Sequence, residues 1–329
     1  MLSGRLPLVK ERPEHIPEEY IEISLPVSRE FAGWRADRFV AMRIPRLSRT
    51  RVQRILERFA FDDEGRPFKP SRALRDGERI TIFKPPPDEP DVPREFGVAF
   101  EDEWFLAVDK PPGLPVHPTA RFLHNTLTGL LDERYGPERR PVLVHRLDSE
   151  TSGLVLCART PEAERAAKRL FADRKVRKKY LALVRGTPDP PSGRIEAAIG
   201  PDRESVIRVK MGCRDPGGLP ALTEYRVLET RGQVSLVEAR PRTGRQHQIR
   251  VHLAHIGHPI VGDKMYGSDE NLFLEYVEHG PSEDLARRAG HRRQALHAAR
   301  LELTHPFTKA PLVIEAPLPG DLRDLFSRA

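Results

Sequence analysis

Within nine positions, His145-Arg146-Leu147-Asp148-Ser149-Glu150-Thr151-Ser152-Gly153 gathers an imidazole, a guanidinium, a carboxylate and several hydroxyls. A plain turn between strands is built from Gly, Asn, Asp or Pro and has no need of Arg and His beside an Asp. An ionised carboxylate in a partly dry pocket can attack an electrophilic carbon or take a proton. The alternative is that Asp148 caps a turn while Thr151 and Ser152 bond the local backbone. The residues alone leave both readings open.

The loop needs rigid flanks, and the sequence supplies them. Pro141-Val142-Leu143-Val144 and Leu154-Val155-Leu156-Cys157-Ala158 are short, apolar and rich in β-branched residues, so each reads as a buried strand. Phe96 to Lys110 predicts a hairpin around Glu101-Asp102-Glu103, followed by a proline-stiffened loop to Pro118. Pro161 to Arg174 predicts a helix, with Ala163, Ala166, Ala167, Leu170 and Phe171 on one face. Tyr180 to Gly186 and Leu236 to Ala239 read as strands, and Gln246 to Ile256 as a helix entered through Gly244. That helix region carries His247, His252, His255 and His258. With no cysteine pair and no His-Glu-x-x-His, metal binding is the poorer explanation of them, and no metal is expected.

The 329 residues suffice for one large or two ordinary domains. No apolar run approaches the roughly 20 residues a membrane helix needs, and Met1 to His15 lacks the apolar stretch of a secretory signal. Two scattered cysteines, Cys157 and Cys213, suit a reducing cytoplasm. The net charge of +7 is unevenly placed: residues 35–84 hold 14 Lys+Arg against 7 Asp+Glu, leaving 41 of each sign elsewhere. A basic module on a neutral body is the distribution expected of a nucleic-acid-binding appendage.

In that module Tyr20 to Pro26 predicts a strand and Trp34 to Arg43 a helix. Ser48 is placed to cap a second helix, Arg49 to Ala60. Val52, Ile55, Leu56 and Phe59 form its buried stripe, leaving Arg49, Arg51, Arg54 and Arg58 for solvent or phosphate. A proline-rich stretch, 85–94, then reads as an extended spacer.

His-Arg-Leu-Asp-x-x-Thr-Ser-Gly resembles, at all seven fixed positions, the signature loop of the RluA-type pseudouridine synthases. These enzymes isomerise uridine to pseudouridine in RNA without a cofactor. Lys178-x-Tyr180-x-Ala182-x-Val184-x-Gly186 and Gly244-Arg245-x-His247-Gln248-Ile249-Arg250-x-His252 resemble two further motifs of the family, and Lys110 to Pro118 its first. Leu47 to Gln53, and Gly65 to Ser71 with Lys69, are similar to S4-type RNA-binding domains, apart from the acidic Asp62-Asp63-Glu64.

The resemblance implies Asp148 as the catalytic residue, Arg250 as its ion-pair partner, and Tyr180 as a ring against the uracil or a proton relay at C5. Arg146 would fill the place of a flipped-out base, and Arg49, Arg51, Arg54, Arg58 and Lys69 would bind RNA. It implies an α+β fold: a mixed, largely antiparallel sheet flanked by helices, plus a small α+β S4-like domain. The expected segments are a leader (1–19), the S4-like domain (20–84), the linker (85–94) and the catalytic domain (95–329). The expected partner is RNA, ribosomal RNA of the large subunit ahead of tRNA, handled by a monomer with no cofactor, membrane or protein partner. Two rivals remain: a retaining glycoside hydrolase using Glu150 as second carboxyl, and an RNA-binding protein without enzymatic activity.

Overall fold

The computed structural model describes residues 12–44, 48–85, 89–119, 121–213, 215, 217–267 and 269–329. Leu47 of the S4-like motif, Pro86, Pro87 and Asp88 of the spacer, and most of the leader lie outside them. The chain divides into two compact units, Met1–Glu89 and Pro90–Ala329.

The first unit contains β1 (Ile21–Pro26), α1 (Ala36–Arg43), α2 (Arg49–Phe59), β2 (Ala60–Phe61) and β3 (Arg79–Lys84). Its strands form an antiparallel sheet in the order β1-β3-β2. Ser48 caps α2, its hydroxyl accepting from the Arg51 backbone N–H at 3.4 Å. Val52 and Leu56 then pack against Phe39, Val40 and Ile80. α1 starts two residues later than the sequence predicts. Arg35 bridges to Ala73, and the Trp34 carbonyl accepts from Leu74 N–H, so both residues are drawn into an extended pairing. Of the acidic run, Asp62 is internal, 2 % exposed and held by Arg66 and Arg72, while Glu64 is exposed.

The second unit carries β4 (Gly97–Glu101), β5 (Phe105–Lys110), α3 (Leu127–Tyr135), β6 (Val142–Leu143), β7 (Ser152–Ala158), α4 (Pro161–Ala172) and β8 (Arg177–Arg185). It continues with β9 (Ser192–Glu196), β10 (Gly200–Pro201), β11 (Met211–Gly212), β12 (Leu222–Arg231), β13 (Val234–Pro241) and α5 (Gln248–His255). The 268–294 stretch holds α6 (Asn271–His279) and α7 (Glu283–Ala289), before β14 (Leu296–Thr304), β15 (Pro311–Glu315) and α8 (Gly320–Ser327). One ten-stranded sheet runs β4-β5-β7-β14-β8-β13-β12-β9, with β15 on β14 and β6 on β7. Among its described pairings only β7–β14 is parallel, so the sheet is mixed and largely antiparallel within an α+β fold.

Period-2 alternation along β5 sends Phe105 and Ala107 to one face, with α4's Ala163 and Ala167. Leu106 and Val108 meet α3's Leu127 and Leu131 on the other. β7, covered on both faces, is apolar almost throughout, as a central strand must be. The β7–β14 junction explains Gly153. At φ +105° a Cβ there would lie 2.3 Å from the Ala298 carbonyl oxygen, so only glycine fits.

Candidate active site

The loop between β6 and β7 carries Asp148 and is anchored from several sides. Lys110, completely buried, donates through Nζ to the carbonyls of Pro111 (2.8 Å), Leu114 (3.0 Å) and Ser149 (2.9 Å). Gly113 N–H reaches the same Ser149 carbonyl at 2.8 Å. The proline-rich loop after β5 thus braces the Asp148 loop. Burial lowers the Lys110 ammonium to about 7, with Arg293 adding to the effect. Thr151 Oγ1 accepts from Gln294 Nε2 at 2.6 Å, and Ser152 bonds His297 Nδ1 at 3.0 Å. The His297 Nε2 faces the Ala316 carbonyl at 3.1 Å and must donate there, which leaves Nδ1 to accept from Ser152. His145 is scaffold: its Nε2 accepts from Leu156 N–H at 2.9 Å, and its ring stacks on Phe171.

α5 brings Arg250 to Asp148. Its Nη1 donates to Asp148 Oδ2 at 2.7 Å, while Nε and Nη2 form a bidentate pair with Asp263 at 2.7 and 2.9 Å. Asp263 is fully buried and also accepts from Met265 and Tyr266 N–H, both at 3.0 Å. The Tyr266 ring lies 4.9 Å from the guanidinium. Burial pushes the Asp148 carboxyl up, but the charge of Arg250 and the hydrogen bonds from Arg250 and Gln294 outweigh it. The carboxyl is therefore held below its ordinary range and is ionised at neutral pH.

α5 begins at Gln248, later than the predicted Gln246. His247 adopts the left-handed conformation (φ 55°), which a helical residue cannot do. Burial, with Arg250 nearby, lowers His247 to about 4, so its 3.9 Å approach to Asp148 is not an ion pair. Two of the other histidines in this stretch are bonded apart from one another. His252 bonds Thr223 and the Ala197 carbonyl, and His258 bonds the Arg185 carbonyl. Among the described residues no three potential ligands converge on a metal position.

A cavity of about 670 Å³ opens over Asp148, lined by Arg146, Lys178, Tyr180, Arg245, His247 and Arg250 among others. Tyr180, on β8, makes no hydrogen bond through its hydroxyl among the described residues. Burial and the charge of Asp148 raise its pKa, so the phenol stays protonated. Arg146 is exposed at the cavity rim. Glu150 is engaged elsewhere, accepting from Lys264 Nζ at 2.7 Å and Gln294 N–H at 3.2 Å.

Arg49, Arg51, Arg54, Arg58 and Lys69 belong to the first unit, all exposed. Sequence reasoning passed over the Asp263 fork, Gln294, Tyr266 and the brace from Lys110. Of these only Lys110 stands in a motif quoted above, as the first residue of the Lys110 to Pro118 loop. No described helix is long and apolar enough to cross a membrane.

A tethered, ionised carboxylate in a cavity rimmed by cations suits covalent or general-base chemistry on a polyanion. Residues 104–255 match the family described as RNA pseudouridylate synthase. An uncharacterized RNA pseudouridine synthase of Chloroflexus aurantiacus is 40% identical over 298 residues, 88% of each chain. Ribosomal large subunit pseudouridine synthase D of Zymomonas mobilis is 36% identical, covering 91% of this chain and 95% of that protein. The solved structure of human RNA Pseudouridylate Synthase Domain Containing 4 matches with a TM-score of 0.55 and 29% identity, over 70% of this chain and 92% of the human one. The chain belongs to the RluA-type pseudouridine synthases, enzymes that isomerise uridine in RNA.

Proposed function

We propose that this enzyme modifies uridines in ribosomal RNA of the large subunit, with Asp148 as its catalytic residue. The observation that carries the reading is the state of Asp148: ionised, tied through Oδ2 to Arg250, and open to the cavity. Pseudouridine formation breaks the N1–C1′ bond, turns the uracil and joins C5 to C1′, with the C5 proton lost and a proton taken up at N1. Asp148 either attacks C1′ or removes the C2′ proton to give a glycal. A stacked uridine is out of reach, so the base is flipped into the cavity, where Tyr180 offers a ring and Arg146 takes the vacated place. The glycoside hydrolase alternative loses its second carboxyl, because Glu150 is committed to Lys264.

Support for the ribosomal target comes from the names of relatives such as that of Zymomonas mobilis. The first unit serves as an S4-like RNA arm through Arg49, Arg51, Arg54, Arg58 and Lys69. Such a target, with two free thiols, is the support for a reducing, cytoplasmic setting. Asp148→Asn keeps the shape and removes the charge. On total RNA from a strain lacking the protein, this variant should bind normally and form no pseudouridine. Turnover within tenfold of wild type would sink the assignment.

A further inference from the structure

The two oxygens of Asp148 are unlike. Oδ2 accepts from Arg250 Nη1 at 2.7 Å and Gln294 Nε2 at 3.4 Å. Oδ1 has no hydrogen-bond partner among the described residues and faces His247 Nε2 at 3.9 Å. What that nitrogen presents, a proton or a lone pair, depends on the other side of the ring. There Nδ1 lies 2.8 Å from the Tyr266 hydroxyl. This hydroxyl also accepts from the Met211 backbone N–H at 2.9 Å. A backbone N–H cannot accept, and the phenolic hydrogen has no other acceptor among the described residues, so it goes to His247 Nδ1. The neutral imidazole must then carry its hydrogen on Nε2, aimed at Oδ1.

We propose that Tyr266 is a positioning residue: its hydroxyl fixes His247 as the Nε2–H tautomer, which keeps Asp148 Oδ1 as the oxygen presented to the substrate. The inference rests on Asp148 being the catalytic carboxylate. In the opposite tautomer a nitrogen lone pair would face Oδ1, repel it and leave the substrate without that donor. Three features hold the arrangement rigid. His247 sits at φ 55° immediately before α5, Tyr266 N–H is bonded to Asp263, and the Tyr266 ring meets His247 edge-on at 5.6 Å. The 3.9 Å gap admits shortening once a ribose fills the cavity, as hydrogen bonds at catalytic groups often tighten on binding.

The test is Tyr266→Phe, which retains the ring and its contact with Arg250. In the free enzyme, imidazole nitrogen resonances should show His247 changing from Nε2–H alone to a population bearing Nδ1–H. Losing one neutral hydrogen bond corresponds to about three- to tenfold. Single-turnover rate on total RNA from a strain lacking the protein should fall by that factor, with RNA affinity unchanged. His247→Gln places an amide N–H near the Nε2 position independently of Tyr266, so adding Tyr266→Phe to it should cost nothing more. A purely structural Tyr266 would lower the melting temperature and leave the tautomer as it was. An unchanged tautomer, an unchanged rate, or two effects that multiply would overturn the proposal; if His247→Gln does not fold, the Tyr266→Phe spectrum and rate decide. Failure of the Asp148 reading is visible separately, as turnover by Asp148→Asn, while the nitrogen spectrum of the free enzyme still judges the tautomer.

Discussion

Arg250→Ala is the most informative perturbation of the site, because the guanidinium is shared. Its Nη1 serves Asp148, whereas Nε and Nη2 serve the wholly buried Asp263. Removing it therefore leaves two carboxylates without their cation. Stability should fall by ~3–5 kcal/mol, the usual cost of breaking a buried pair. The same loss lets burial dominate at Asp148, whose carboxyl Arg250 now holds low. A base needed in its ionised form then requires higher pH, and the acid limb of the rate profile should move up by ~1–3 pH units. Adding Asp263→Asn removes the orphaned charge while an amide oxygen still accepts from Met265 and Tyr266, so stability should recover and activity should not. Arg250→Lys keeps the charge but cannot span both carboxylates, so it should restore the pH profile better than the rate. Single-turnover rates across pH, with enzyme saturating, separate chemistry from binding, and thermal melts report the stability. A lower but unshifted acid limb for Arg250→Ala would refute the ion-pair argument and leave Arg250 as an RNA contact.

Replacing Arg49, Arg51, Arg54 and Arg58 with Gln should reduce the salt dependence of RNA binding by up to about 3 in the log–log slope; an unchanged slope removes the first unit as the RNA arm. Gly153→Ala forces a methyl to within 2.3 Å of the Ala298 carbonyl and should cost more than ~3 kcal/mol in denaturant melts. Near-wild-type melting would mean the β7–β14 approach is looser than described. Lys110→Met loses the brace on Ser149, and its effect depends on pH. The folded ammonium releases its proton near 7, while the unfolded one holds it to about 10.4, so between these values the unfolded chain binds more protons and wild-type stability rises with pH. The gap between wild type and Lys110→Met should widen over that window, and a constant gap would contradict the lowered Lys110.

Local features of the fold were legible because local rules produce them. The Ser48 cap, the α2 stripe and the hairpin turning at Asp102, whose Oδ1 accepts from Trp104 and Phe105 N–H, each depend on residues within a few positions. Asp148 and Arg250 stood out by motif and meet at 2.7 Å. Gln294, Tyr266 and Lys110 were not legible. Gln294 reaches Thr151 across 143 positions from a polar stretch with no periodicity, and Lys110 looks like any cation in a proline-rich loop until its burial is seen. The start of α5 was misplaced because His247 takes a left-handed backbone that residue type does not announce.

The parallel contact between β7 and β14 has a consequence for synthesis. Gln294 lies 146 residues beyond Asp148, and the strand that follows it, β14, supplies the neighbour of β7 at Ser152 and Gly153. At ~5–20 residues per second a ribosome needs about 7–30 s to cover that distance. Throughout this interval the Ser152–Gly153 end of β7 has one edge open, β6 covering only the far end at Cys157 and Ala158, and Ser152 and Thr151 lack their partners. Such an edge can pair with another nascent chain. The enzyme is thus most exposed to misassembly while its Asp148 loop has been made and the last supports of that loop have not, and slowing elongation between 153 and 294 should lower the soluble yield without altering the activity of the molecules that do fold.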